Sequence, residues 1–154
     1  MPTQPKAEDC TESLSHIRVK VDDERSRRWA VFLNPTRATI RKIRVDGCLV
    51  RRSVAADWIV SKANCVDVVV ELKGRDVGHA IQQVGATLRF WSENAECKQK
   101  DHLAALIVCT QYPRDNTKIE RARRQIAQEH QAPLHVKSRN LEYAFEALAS
   151  FAEI

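Results

Sequence analysis

Residues 65–74 read CVDVVVELKG, and residues 75–91 continue RDVGHAIQQVGATLRFW. Four valines and a leucine within Val66 to Leu72 predict a strand buried on both faces, because β-branched side chains pack well on a pleated surface and lose rotamer freedom in a helix. Alternate side chains of a strand share a face. Asp67, Val69, Glu71 and Lys73 therefore point one way, and Val68, Val70 and Leu72 the other. Glu71 and Lys73 end the apolar run, and Gly74 breaks it. Charges at such a place cost stability unless they find partners. Asp76 is placed to cap the helix that follows, whose apolar positions Val77, Ile81, Val84, Leu88 and Trp91 recur at helical spacing.

Outward from this unit, residues 56–60 (ADWIV) form the preceding strand, with Asp57 and Ile59 on one face. Residues 39–45 alternate Ile43 and Val45 against Arg41, Lys42 and Arg44, and Asp46-Gly47 marks a hairpin with residues 48–50 returning. Residues 29–33 are a compact apolar strand ended by the turn chemistry of Asn34-Pro35, and residues 16–21 suit an edge strand. Downstream, residues 93–102 are polar loop and residues 103–109 an uninterrupted buried strand. Thr117-x-x-Glu120 has the form of a capping box for a helix reaching His130. Residues 133–137 are a short strand, and residues 141–151 space Leu141, Phe145 and Leu148 as a last helix. Residues 1–15 are polar and lack periodicity, which predicts a flexible tail before a single domain of residues 16–154. The order of elements predicts an α/β fold, a mixed β-sheet flanked by helices.

If the strands bearing Asp57 and Glu71 pair, their carboxylates meet. Two carboxylates suit a hard cation such as Mg²⁺ or Mn²⁺, which offsets their repulsion and lowers the pKa of a bound water. Lys73 then stands beside the attacking water or the developing negative charge. A bare Glu-x-Lys triplet is expected about once by chance in a chain of this size, and Glu96-Cys97-Lys98 is such a twin in polar surroundings. The force of Glu71-Leu72-Lys73 comes from its strand, the upstream Asp57 and the glutamine-bearing helix behind it.

At these residues the chain resembles the PD-(D/E)xK nuclease superfamily, which has the restriction-endonuclease-like fold. The family pattern of an Asp, a strand, E-L-K-G and A-x-x-Q is matched by Asp57, Glu71-Leu72-Lys73-Gly74 and Ala80-Ile81-Gln82-Gln83. The likeness spans about residues 39–110. It implies that Asp57 and Glu71 bind Mg²⁺ or Mn²⁺ with help from the Leu72 carbonyl, that Lys73 acts on the nucleophilic water, and that Gln83 supports the site, with Gln82 in reserve. It also implies DNA as the favoured substrate. The family's proline before its Asp is replaced by Ala56, and its acidic residue on an upstream helix has no counterpart except Glu24. Asp46 is a further acid nearby, although an Asp-Gly turn explains it too.

Charge distribution agrees with a phosphate-bearing partner. The first 25 residues carry four basic and six acidic side chains, the remaining 129 carry 21 and 14. Arg41, Lys42, Arg44, Arg51 and Arg52 cluster around the predicted hairpin, and Lys118, Arg121 and Arg124 on the capped helix. Both groups are candidate nucleic-acid contacts. A non-catalytic module binding nucleic acid or protein on the same fold is the alternative. The domain is small, so specificity is expected to come from a homodimer or a partner protein.

Five scattered cysteines without a C-x-x-C pair are expected to be free thiols. No apolar run approaches the roughly 20 residues of a membrane helix, and the N-terminus lacks the layout of a secretory signal, so a cytoplasmic protein is expected.

Overall fold

The computed structural model describes residues 6–73 and 75–154; residues 1–5 of the expected tail and Gly74 lie outside it. Its strands are β1 (Thr11–Leu14), β2 (Arg18–Asp22), β3 (Trp29–Leu33), β4 (Ile40–Arg44), β5 (Trp58–Lys62), β6 (Val66–Leu72), β7 (Leu103–Val108), β8 (Leu134–Lys137) and β9 (Leu141–Ala144). Its α-helices are α1 (Val77–Ser92), α2 (Thr117–His130) and α3 (Phe145–Ala149). The class is mixed α/β, with a six-stranded sheet in the order β1-β4-β5-β6-β7-β8 and a three-stranded sheet β2-β3-β9.

β6 is central and every residue of it is buried, as its composition predicts. It pairs antiparallel with β5 and parallel with β7. A parallel neighbour demands a crossover, and α1 supplies most of it. Asp76 caps α1 by accepting the His79 N–H at 2.9 Å. Val77, Val84, Leu88 and Trp91 pack with Ile59, Val69 and Ile107 on one sheet face, where α2 adds Ile119, Ala122 and Ile126. The opposite face carries Val60, Val68, Val70, Leu106 and Val108, covered by the small sheet and α3 through Val19, Phe32, Tyr143, Phe145 and Leu148. The six-stranded sheet is thus the middle of three layers.

Several expectations are corrected. Residues 7–14, assigned to a flexible tail, form a short 3-10 turn (Ala7–Cys10) and β1, an edge strand that pairs Thr11 with Ile43. Cys10 and Cys48, expected as free thiols, form a disulfide with Cα atoms 5.9 Å apart. Cys65, Cys97 and Cys109 are free. Disulfides persist in oxidising compartments and are rare in reducing ones. The Asp46-Gly47 hairpin reduces to a tight turn with Gly47 at φ +83° and one bridge from Asp46 to Val50; β4 pairs instead with β5.

The capping box does not form. Thr117 bonds Asp115, and Glu120 pairs with Arg123. Residues 141–151 are not one helix, because Leu141–Ala144 extends the edge of β3 as β9 before the single turn of α3. Pairing an otherwise open strand outweighed the local helical spacing. Among the described residues, no helix is long and apolar enough to cross a membrane.

The disulfide ties the start of the chain across 38 residues to the turn after β4. Reducing it is expected to lower the free energy of unfolding by about 2–4 kcal/mol. Urea denaturation with and without a dithiol tests this: a Cys10→Ser/Cys48→Ser variant should show the loss and no further response to the reductant.

Candidate metal and phosphate site

β4 and β6 run the same way, antiparallel to β5. The ends of β4 and β6 and the start of β5 therefore share one rim of the sheet. Trp58 lies opposite Val70, so the antiparallel register carried one step outward puts Asp57 opposite Glu71. Directly opposite side chains have Cβ atoms about 4.5–5.5 Å apart. The sequence-predicted pair converges: Asp57 lies close enough to Glu71 to hold a proton on it. The Asp57 Oδ2 also accepts the Leu72 main-chain N–H at 2.9 Å.

Glu71 is only 2% exposed, and its Oε2 is buried with no hydrogen-bond partner. Its pKa is pushed up to about 10, first by desolvation, then by the hydrogen bond and charge of Asp57; Lys73 pulls it down and Asp46 pushes it further up. Asp46, rather than Glu24, is the third acid felt here. Glu24 is exposed in the turn between β2 and β3, whereas the Asp46 N–H donates to the Ala56 carbonyl at 3.1 Å beside Asp57. Arg25 stands 4.0 Å from the Asp46 carboxylate. The Lys73 N–H donates to Val108 at 2.8 Å, anchoring this lysine at the common end of β6 and β7.

Gln83 lies on the face of α1 towards this rim, yet its amide donates to the Ala55 carbonyl at 3.2 Å rather than to a carboxylate. Its Oε1 is buried without a partner. Thr87, which no sequence motif marks, accepts the Ala56 N–H at 2.8 Å and donates to the Gln83 carbonyl at 2.9 Å. The two residues clamp the segment just before Asp57. Gln82, the reserve glutamine, points into the cleft between α1 and α2. The twin triplet at Glu96 to Lys98 lies outside any strand.

The predicted basic patch is divided. Arg41 lies on the α1 side and donates to Ser61 at 3.1 Å, towards the far end of the sheet from Glu71. Lys42 and Arg44 lie on the other side, stacked over the Trp58 ring at 4.8 and 5.1 Å. Strand alternation makes this division unavoidable. Arg51 and Arg52 are exposed between the turn and β5. Lys118 brings its ammonium next to the first turn of α1, 3.8 Å from where a Cβ on Gly78 would lie. Arg121 and Arg124 are exposed on α2.

The donor set suits a hard cation: two carboxylates in contact, one with an orphaned oxygen, hold either a shared proton or a metal. Among the described residues, no three His, Cys, Asp or Glu side chains come together as a metal-binding group. No protein-family model, curated protein or solved structure matches the chain.

Without a cation the folded chain keeps a proton on Glu71 that the unfolded chain has released, between the ordinary value of 4.5 and about 10. Stability from the protonated form is full below 4.5 and is lost as the pH rises towards 10. Cation-free protein should therefore resist urea better at about pH 5 than at about pH 8. Glu71→Gln should remove that dependence and stabilise the fold by about 1–3 kcal/mol at the higher pH, as paired urea melts would show.

Proposed function

We propose that this chain is a metal-dependent nuclease that hydrolyses phosphodiester bonds, most of all in DNA, on a restriction-endonuclease-like fold. The observation that carries this reading is the meeting of Asp57 and Glu71 at a sheet rim, with one Glu71 oxygen buried and unpartnered. A protein that buries an acid beside another acid sacrifices stability there, which fits a site completed by a ligand. The element order lends support. Antiparallel β4, β5 and β6 followed by α1 and parallel β7 present Asp57, then Glu71 and Lys73, then the glutamine helix, as the resemblance implies.

In this proposal Asp57 and Glu71, with the Leu72 carbonyl, hold Mg²⁺ or Mn²⁺. Such a cation, when bound, would supply a water of lowered pKa and charge neutralisation at the phosphoryl oxygens. Lys73, beside Glu71, orients that water and balances the negative charge that grows as the leaving oxygen departs. Gln83 acts through the backbone of Ala55, so it is a positioning residue. Arg51, Arg52 and Lys118 bind phosphates around the scissile bond, and a second copy or partner protein adds specificity.

A non-catalytic binding module is the second reading, favoured by the lack of a three-ligand group among the described residues.

Metal decides between them. Mn²⁺ is expected to raise the melting temperature of the wild-type chain and not that of Asp57→Asn. DNA cleavage should fall at least about 100-fold in Glu71→Ala and Lys73→Ala while circular dichroism stays native. Equal cleavage by all three proteins rejects the nuclease reading. Duplex binding without any Mn²⁺ effect selects the module.

A further inference from the structure

β7 and β8 both run parallel to β6, so their C-terminal ends continue the rim that carries Glu71 and Lys73. The backbone joins them stepwise: Lys73 N–H donates to Val108, and Cys109 N–H donates to Lys137, both at 2.8 Å. At the far end opens a cleft of about 480 Å³, lined by Tyr112, Arg123, Lys137, Ser138, Arg139 and Glu153 among others. Between cleft and acid pair, the Arg28 guanidinium donates to the Cys109 carbonyl at 3.3 Å. Arg28, Tyr112 and the pair Lys137 and Arg139 come from three separate segments, so their meeting is not visible in the sequence.

Two of the three cations that line the cleft already have partners. Arg123 is engaged by Glu120 and by the Leu134 carbonyl, and the Lys137 ammonium bonds the main-chain oxygen of Ile154. Arg139 is exposed. Glu153 is the one acidic side chain among the lining residues, and Arg139 is the lining cation left to meet a ligand. On the other side of the acid pair, Arg51 and Arg52 follow β4 and are exposed. The acids therefore sit in the middle of a rim with cations on both flanks.

We propose that this rim is a track for a single polynucleotide strand, and that the Tyr112–Lys137–Arg139 cleft is its second subsite, holding a nucleotide displaced from the scissile phosphate. Strands spaced about 4.8 Å apart put β4 and β8 roughly 19 Å apart, which is about five to six nucleotides at the ~3.4 Å rise of a stacked strand. A small phosphorylated metabolite has no use for cations at both ends of such a span. Tyr112 supplies a ring on which a base stacks, and Lys137 and Arg139 take the adjoining phosphate. The proposal rests on the reading of Asp57 and Glu71 as the phosphodiester site.

The test is binding of a labelled single-stranded oligodeoxynucleotide, followed by fluorescence anisotropy in metal-free buffer over a range of salt. Lys137→Ala/Arg139→Ala is expected to weaken binding roughly tenfold, and to make the slope of log K against log[salt] shallower by roughly 1.4. Arg139→Ala alone alters only an exposed side chain and should give about half that slope change. Tyr112→Leu should weaken binding about fivefold or more with the slope unchanged. Glu71→Gln should bind at least as tightly as wild type.

Unchanged affinity and slope in the double and single arginine variants would overturn the inference. So would absence of binding by the wild type, or equal binding of polyglutamate with the same losses. Binding with these losses but no cleavage in Mn²⁺ supports the track and rejects the hydrolytic reading.

Discussion

The complete burial of β6 governs this molecule, because that strand carries two carboxylates into the core on the same face. Asp67 and Glu71 are four residues apart and sit near its two ends. At the Asp67 end the carboxylate is saturated: Ser61 donates to Oδ1 at 2.5 Å and the Trp91 indole to Oδ2 at 2.8 Å, with the Cys97 thiol at 3.7 Å. At the Glu71 end the second oxygen has no partner, and the neighbouring acids Asp57 and Asp46 both disfavour its ionised form. A buried polar group is tolerated when hydrogen-bonded and costly when not. The strand thus offers its own comparison, one acid used to hold the fold and one left with unmet demand.

The rest of the scaffold holds the costly end in place. The Val45 N–H donates to the Asp57 carbonyl at 3.0 Å, and Thr87 and Gln83 fasten Ala56 and Ala55 from α1. The Cys10–Cys48 disulfide closes the turn that carries Asp46 against the 3-10 turn before β1. Backbone fixed from two sides keeps Asp57 and Glu71 together, since neither strand end is free to move apart. Separate shells of support of this kind are what a preorganised site needs.

The middle of the chain was the legible part. β6 and α1 lie where the valine run, Asp76 and the apolar spacing from Val77 to Trp91 put them, because burial pattern and local preference agree there. Residues 141–151 failed because Leu141, Phe145 and Leu148 satisfy helical spacing while the open edge of β3 offers hydrogen bonds that spacing cannot reveal. The capping box failed because Asp115, two residues before Thr117, competes for the same N–H and hydroxyl. The basic patch failed for a simpler reason: residues adjacent in a strand face opposite ways, so Arg41 and Lys42 cannot share a surface.

The sequence by itself determined the α/β class and the buried central strand, and it singled out Asp57, Glu71 and Lys73 as candidates, since these follow from periodicities of two and 3.6 and from charges that such a strand tolerates poorly. It also marked Gln83, though not that its amide serves the Ala55 backbone. Only the tertiary structure decided that Asp46 adds to the acid pair, that Thr87 fastens its approach, that Cys10 finds Cys48, and that Arg28, Tyr112, Lys137 and Arg139 meet along one rim. These are pairings between segments far apart in the chain. Strand order and register set them, and neither leaves a local signature.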